Sequence, residues 1–192
     1  MVTDDPSARR GEPPALLDPR RTGALIGLAG ALTFAFSYSS ALPGPVGTAA
    51  RVVTVVGVVA TLWALFVRPR PLGPFVPPRP GRVVAYLLCV AGELALIAAG
   101  SRMLEAAGSA DLRPALIAAV VGLHFVPFAW AFGERMFVLL GTTLLVLGGA
   151  GLLLGTGVAA SGAAVASGVA MAGILCAYGL GAFAPRRSGE RG

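Results

Sequence analysis

An acid and an imidazole stand where the chain is otherwise apolar: Glu93 and His124, the one histidine, each fall near the middle of a stretch long enough to cross a bilayer. An ionisable side chain at that depth costs roughly 2.5–3.5 kcal/mol on insertion scales, so it faces a bundle interior or a wet cavity and marks a candidate site. Three residues beyond His124 comes Pro127, which has no N–H to donate to the Leu123 carbonyl. A kink there would open space beside His124 and leave polar backbone that something must satisfy. On the other stretch, Tyr86, Cys89, Val90, Glu93 and Ile97 share one helical face. These residues predict that Glu93 and His124 meet at mid-depth between neighbouring helices, sharing a proton directly or through water, as an ion pair or as a neutral hydrogen-bonded pair. The competing structural role leaves His124 satisfying backbone at the kink and Glu93 bridging two helices. With a single histidine, no ligand spacing supports a metal, and haem held between two histidines of this chain is excluded by the count. No cofactor and no catalytic residue is expected.

The elements that must position this pair follow from composition. Of 192 residues 56% are hydrophobic and 12% charged, with a mean hydropathy of +0.80, far from a soluble domain with about a quarter of its residues charged. Apolar stretches run over 22–41, 50–67, 83–101, 114–132, 136–154 and 158–183, each near the ~20 residues that cross ~30 Å of hydrocarbon. The expected fold is all-α: a six-helix transmembrane bundle over 22–184, in contact with the lipid bilayer. Residues 1–21, with mixed charges and four prolines, are expected to be a disordered cytoplasmic tail, and 185–192 a second short tail. The first apolar stretch follows a polar lead-in and is too long for a signal-peptide core, so it is expected to span.

All 15 basic residues are arginine, and they sit almost entirely between the apolar stretches. The net charge of +6 therefore describes the flanks of a membrane protein, and nucleic acid, which needs basic residues gathered on one folded face, is excluded as a partner. Placing the N-terminus inside puts twelve arginines on the cytoplasmic side and three, Arg51, Arg102 and Arg113, outside; the excess of basic residues on cytoplasmic flanks then predicts both termini in the cytoplasm of a bacterial inner membrane. The connection 68–82 holds six prolines and four arginines. It is expected to be extended and stiff, with Arg68, Arg70, Arg79 and Arg82 available to anionic headgroups. In the next connection Asp111 is expected to cap the fourth helix, with Pro114 in its first turn. Cys89 and Cys176 lie inside apolar stretches and are expected to be small packing residues rather than disulfide partners.

Small residues recur every four positions in the first stretch, at Gly23, Gly27, Ala31, Ala35 and Ser39, and in the last, at Ala160, Ala164, Gly168, Ala172 and Cys176. Close backbone approach through small residues is a main source of helix association in lipid, so both stripes are expected to be seams of the bundle, with a homo-oligomer contact or another membrane partner as the alternative. Ala24-Leu25-Ile26 with Leu32 and Phe34 matches Ala115-Leu116-Ile117 with Leu123 and Phe125, and Leu88-Cys89 with Gly92 matches Leu175-Cys176 with Gly179. Two inverted three-helix halves would give such a pattern.

Ala159-Ala160-Ser161-Gly162-Ala163 is similar to the serine motif of rhomboid proteases, but no histidine follows Ser161 to act as its base. Gly122-Leu123-His124-Phe125-Val126-Pro127 resembles a pattern in small, functionally uncharacterised actinobacterial multi-pass membrane proteins, a likeness confined to this helix and the hydropathy profile. It implies that His124 and Pro127 act as a unit and carries over no activity. The function expected is a non-enzymatic integral membrane protein, accessory or structural; the alternative is a small solute or proton-coupled transporter using Glu93 and His124.

Overall fold

The computed structural model describes residues 14, 16–70, 72 and 80–183. They form α1 (Pro19–Tyr38), α2 (Gly44–Leu62, extended by a π-turn over Trp63–Val67), α3 (Pro80–Ala106), α4 (Arg113–Phe132), α5 (Arg135–Leu154) and α6 (Gly157–Gly179), with single 3-10 turns at Ser39–Ala41 and Ala110–Leu112. Among the described residues six helices are long and apolar enough to cross a membrane, and no strand occurs.

The first helix starts earlier than its apolar pattern. Asp18 is the N-cap, accepting from the backbone N–H of Arg20 at 2.9 Å, and Pro19 fits the first turn, where a missing N–H costs nothing. The last residues of the expected 1–21 tail are therefore helical or capping; residues 1–13, 15 and 184–192 lie outside the described residues, as do 71 and 73–79 of the proline-rich connection. Arg79 falls among these.

Helix α6 is the centre of the packing. It touches α1, α2, α4 and α5, whereas α3 packs mainly on α4. Half of the apolar window of α6 is buried and none of that of α3. The matching helices of the two proposed halves thus occupy unlike places.

Small residues set the distances between helices. A Cβ on Gly168 would lie 2.7 Å from the Ala31 carbonyl oxygen and 3.0 Å from the Ala35 nitrogen, so the two stripes meet each other inside one chain. Gly27 sits against Leu175, and Ala172 faces Gly57 of α2. Gly23 departs from the expectation: it is exposed with nothing within 4 Å, because the burial at this end has shifted to Ala24. The tightest crossing joins α4 and α5. Gly148 lies against the backbone of Ala119 and would bring a Cβ within 2.7 Å of the Ala115 carbonyl, and Gly122 and Gly141 meet backbone to backbone one contact further along.

Gly148→Val is therefore expected to destabilise by at least the ~1–3 kcal/mol typical of overpacking, since both neighbours are backbone and cannot rotate away. Gly149→Ala, with nothing within 4 Å of the added Cβ, should be neutral or slightly stabilising. Thermal unfolding of the two variants in one detergent checks the contrast.

Candidate functional site

Two turns of chain aim α3 and α4 at each other. At the end of α3, Gly108 adopts φ +70°, the Ser109 N–H donates to the Leu104 carbonyl at 2.8 Å and the Gly108 N–H to the Glu105 carbonyl at 3.0 Å. This left-handed cap closes α3 and turns the chain back antiparallel, and Arg113 at the start of α4 pairs with Glu105 across the turn. Asp111 does not cap α4, whose N-cap is Leu112 with no side-chain bond. Its carboxylate instead lies against the first turn of α6, with Oδ2 2.9 Å from where a Cβ on Gly157 would be, a place the helix dipole favours for an anion.

With the hairpin closed this way, the face of α3 carrying Tyr86, Cys89, Val90 and Glu93 comes against α4. His124 Nδ1 lies 2.8 Å from Glu93 Oε2, with side chains 13% and 14% exposed. The separation is within hydrogen-bond reach, yet Nδ1 makes no aligned hydrogen bond. The imidazole is fixed by aromatic neighbours. It stacks on Phe125 at 4.7 Å and meets Phe128 in a T-shaped contact at 4.4 Å, and Phe128 in turn lies 4.8 Å from Tyr86. Phe137 of α5 completes the wall, 5.9 Å from Phe125 and 5.8 Å from Phe128. Such contacts lock a ring's orientation and add about 0.5–1.5 kcal/mol per pair beyond burial.

Pro127 stands inside α4, one turn beyond Leu123, and the helix continues through it to Phe132. It is exposed on the side away from the core, next to buried Phe128. Free cysteines Cys89 and Cys176 are half-buried, Cys89 against the core cluster that holds Phe125 and Phe128. No group of three or more His, Cys, Asp or Glu able to hold a metal gathers among the described residues. Ser161 is buried in the first turns of α6 and lines an open recess there with Tyr38, Asp111 and Arg113.

A second polar assembly lies where α1 begins and α2 and α6 end, and the composition of residues 1–21 concealed it. Asp18 and Arg21 are 1% and 4% exposed. Asp18 receives the Arg20 guanidinium at 3.0 and 3.1 Å and lies 3.7 Å from Arg21 Nε. Arg21 donates to the Leu65 carbonyl in the π-turn of α2 and, at 3.1 Å, to the Arg70 carbonyl, while Arg20 reaches the Leu72 carbonyl at 3.1 Å. Arg70 donates to the Leu180 carbonyl at 2.7 Å, beyond the end of α6. Two of the arginines counted on the cytoplasmic side thus close the carbonyl ends of helices, where a cation also meets the favourable end of the dipole. Asp-Pro ahead of an apolar run was the sequence signal for this start of α1.

Glu134, in the connection between α4 and α5, belongs to the same region. Burial pushes its carboxyl above the ordinary carboxylate range, and the Asp18 charge adds to the rise while Arg20 opposes it.

Compared with protein-family models, with curated proteins and with solved structures, the chain matches none. Fold and site define a class: a helical bundle with six membrane-length apolar helices, the architecture of a multi-pass membrane protein, carrying an ionisable pair between two of them.

A carboxyl whose proton is held more tightly in the folded state contributes stability below its unfolded titration, and that contribution is lost as pH rises through the folded value. Glu134→Gln should accordingly be indistinguishable from wild type near pH ~4 and more stable than it near pH ~8. Melting midpoints across that range in detergent test the sign.

Proposed function

We propose that the chain is a non-enzymatic accessory or structural protein of the bacterial cell membrane, and that Glu93 and His124 form the clasp that seats α3 on the bundle. The observation that carries this reading is that the two ionisable groups meet each other at 2.8 Å on the helix that packs mainly on one neighbour. A helix with none of its apolar window buried gains little from packing. An interhelical polar contact in lipid, worth on average ~0.6 and at most about 2 kcal/mol, is then a large share of what fixes its register. The arginine distribution supports cytoplasmic termini. Arg68 is exposed and suited to anionic headgroups, whereas Arg70 is engaged by α6.

A second reading, proton-coupled transport of a small solute, is favoured by one feature: both members of the pair keep some exposure, and a helix joined mainly to α4 has freedom to move against the rest. The discriminating experiment places spin labels on the exposed positions Leu96 of α3 and Leu123 of α4 in proteoliposomes and follows proton-driven solute uptake in parallel. The clasp expects Glu93→Ala and His124→Ala to widen the α3–α4 distance distribution, Glu93→Gln to widen it less, and no uptake in any form. Uptake by wild type that Glu93→Gln abolishes, with distances unchanged, would overturn it in favour of transport.

A further inference from the structure

Arg51 is the one charged residue between Arg21 and Arg68, and no acid occurs between Asp18 and Glu93. It takes the eighth place of α2, about 10 Å along the helix from its start. A charge inside an apolar span is costly unless it finds a partner or reaches the interface. Helical side chains lean toward the helix N-terminus, and Arg51 follows that lean to the turn joining α1 to α2. Its Nε donates to Ser39 Oγ at 2.6 Å, and its Cζ lies 5.7 Å from the centre of the Phe36 ring, close enough for a cation–π contact. Gly47, one turn earlier on the same face, lets α2 come this near, because a Cβ there would lie 2.5 Å from the Ser39 carbonyl oxygen.

Ser39 is buried and Phe36 exposed, so the guanidinium is tethered on its packed side and rides over an open ring. Its two terminal nitrogens bond to no described residue. Neither is among the buried donors and acceptors left without a partner, which are Arg21 Nε, Arg113 Nε and His124 Nδ1; both are therefore open to the surface. The ion pairs among the described residues engage Asp18, Glu93 and Glu105, and none includes Arg51. A planar fork held at its Nε, with two outward donors and no carboxylate, is matched by an oxyanion that offers two oxygens side by side.

We propose that Arg51 holds the phosphate of an anionic phospholipid in the leaflet at the α1–α2 turn, with a phosphate oxygen on each terminal nitrogen. The turn joins two membrane-length helices, which puts the guanidinium at the level where phosphates meet the hydrocarbon. Phe36 and Val55, the latter one turn further along α2, are exposed and continue the path along an acyl chain. An ethanolamine headgroup would bring an ammonium beside the guanidinium with no carboxylate paired there to receive it, so a net-negative phosphoglycerol headgroup is selected. The site stands roughly 25 Å along α2 from Arg68 and so faces the opposite leaflet. It rests on the chain spanning a bilayer and is independent of the role given to Glu93 and His124.

The test is native mass spectrometry of the full chain purified in detergent and supplied with equal amounts of phosphatidylglycerol and phosphatidylethanolamine of identical acyl chains. Wild type should retain the glycerol lipid about tenfold over the ethanolamine lipid. Arg51→Gln should abolish the preference, and Ser39→Ala, which releases Nε, should weaken it, with melting midpoints reporting that each variant is folded. Arg102→Gln removes an exposed arginine near the same end of the bundle and should leave the preference in place. Inorganic phosphate in large excess should fail to displace the lipid; full displacement would overturn the lipid as the source of the phosphate. Equal retention of the two lipids by wild type, a preference that survives in folded Arg51→Gln, or an equal loss in Arg102→Gln, which diffuse attraction to any surface cation would give, would overturn the site.

Discussion

Backbone-to-backbone contact through small residues is the constraint on which the arrangement rests. In hydrocarbon no apolar drive separates helix–helix from helix–lipid contact, so association comes from dispersion at close range and from polar groups that find each other. Gly168 against Ala31 and Ala35, and Gly148 against Ala115 and Ala119, bring main chains together where any larger side chain would collide. These crossings make α6 the axis and bind α4 to α5. The helix outside this scheme is α3, whose Gly100 approaches the Leu116 side chain rather than a backbone. It is also the helix that carries an acid near its middle, and the two facts belong together: where close packing is absent, a polar contact takes a larger part in fixing position.

The imidazole end of that contact is prepared in advance. Phe125 stacks on the His124 ring and Phe128 meets it in a T-shaped contact, and both belong to the buried core that α5 and α6 complete. Order therefore passes from the glycine crossing of α4 and α5, through the aromatic wall, to His124, and only then across to Glu93. The acid completes the contact from the less supported side.

Charge at the bundle ends obeys a different rule. Helix ends expose carbonyls that no intrahelical donor can reach, and the chain meets this with arginine: Arg21 on the Leu65 carbonyl and Arg70 on the Leu180 carbonyl, with Asp18 balancing Arg20 and Arg21. The arrangement ties the start of α1 to the ends of α2 and α6. An arginine count treats these residues as a diffuse belt, whereas several of them are fixed to specific carbonyls.

Six membrane-length helices, their approximate bounds and the candidacy of Glu93 and His124 were legible in the residues, because hydropathy over some twenty positions and the cost of an ionisable group among them are local properties. The four-residue spacing of Gly27, Ala31 and Ala35 and of Gly168 and Ala172 marked the faces of two helices that pack. It did not mark where a stripe ends: Gly23 has the right spacing and no neighbour, since the end of α1 turns on Asp18 and Arg21. Nor could Asp111 be assigned from its position before α4, when the helix whose N-terminus it joins starts more than forty residues later. Which helix lies at the centre, which hangs at the edge, and which carbonyl an arginine closes are set by contacts between residues far apart along the chain. Periodicity says which side of a helix is sticky, and only the folded bundle supplies the surface that it meets.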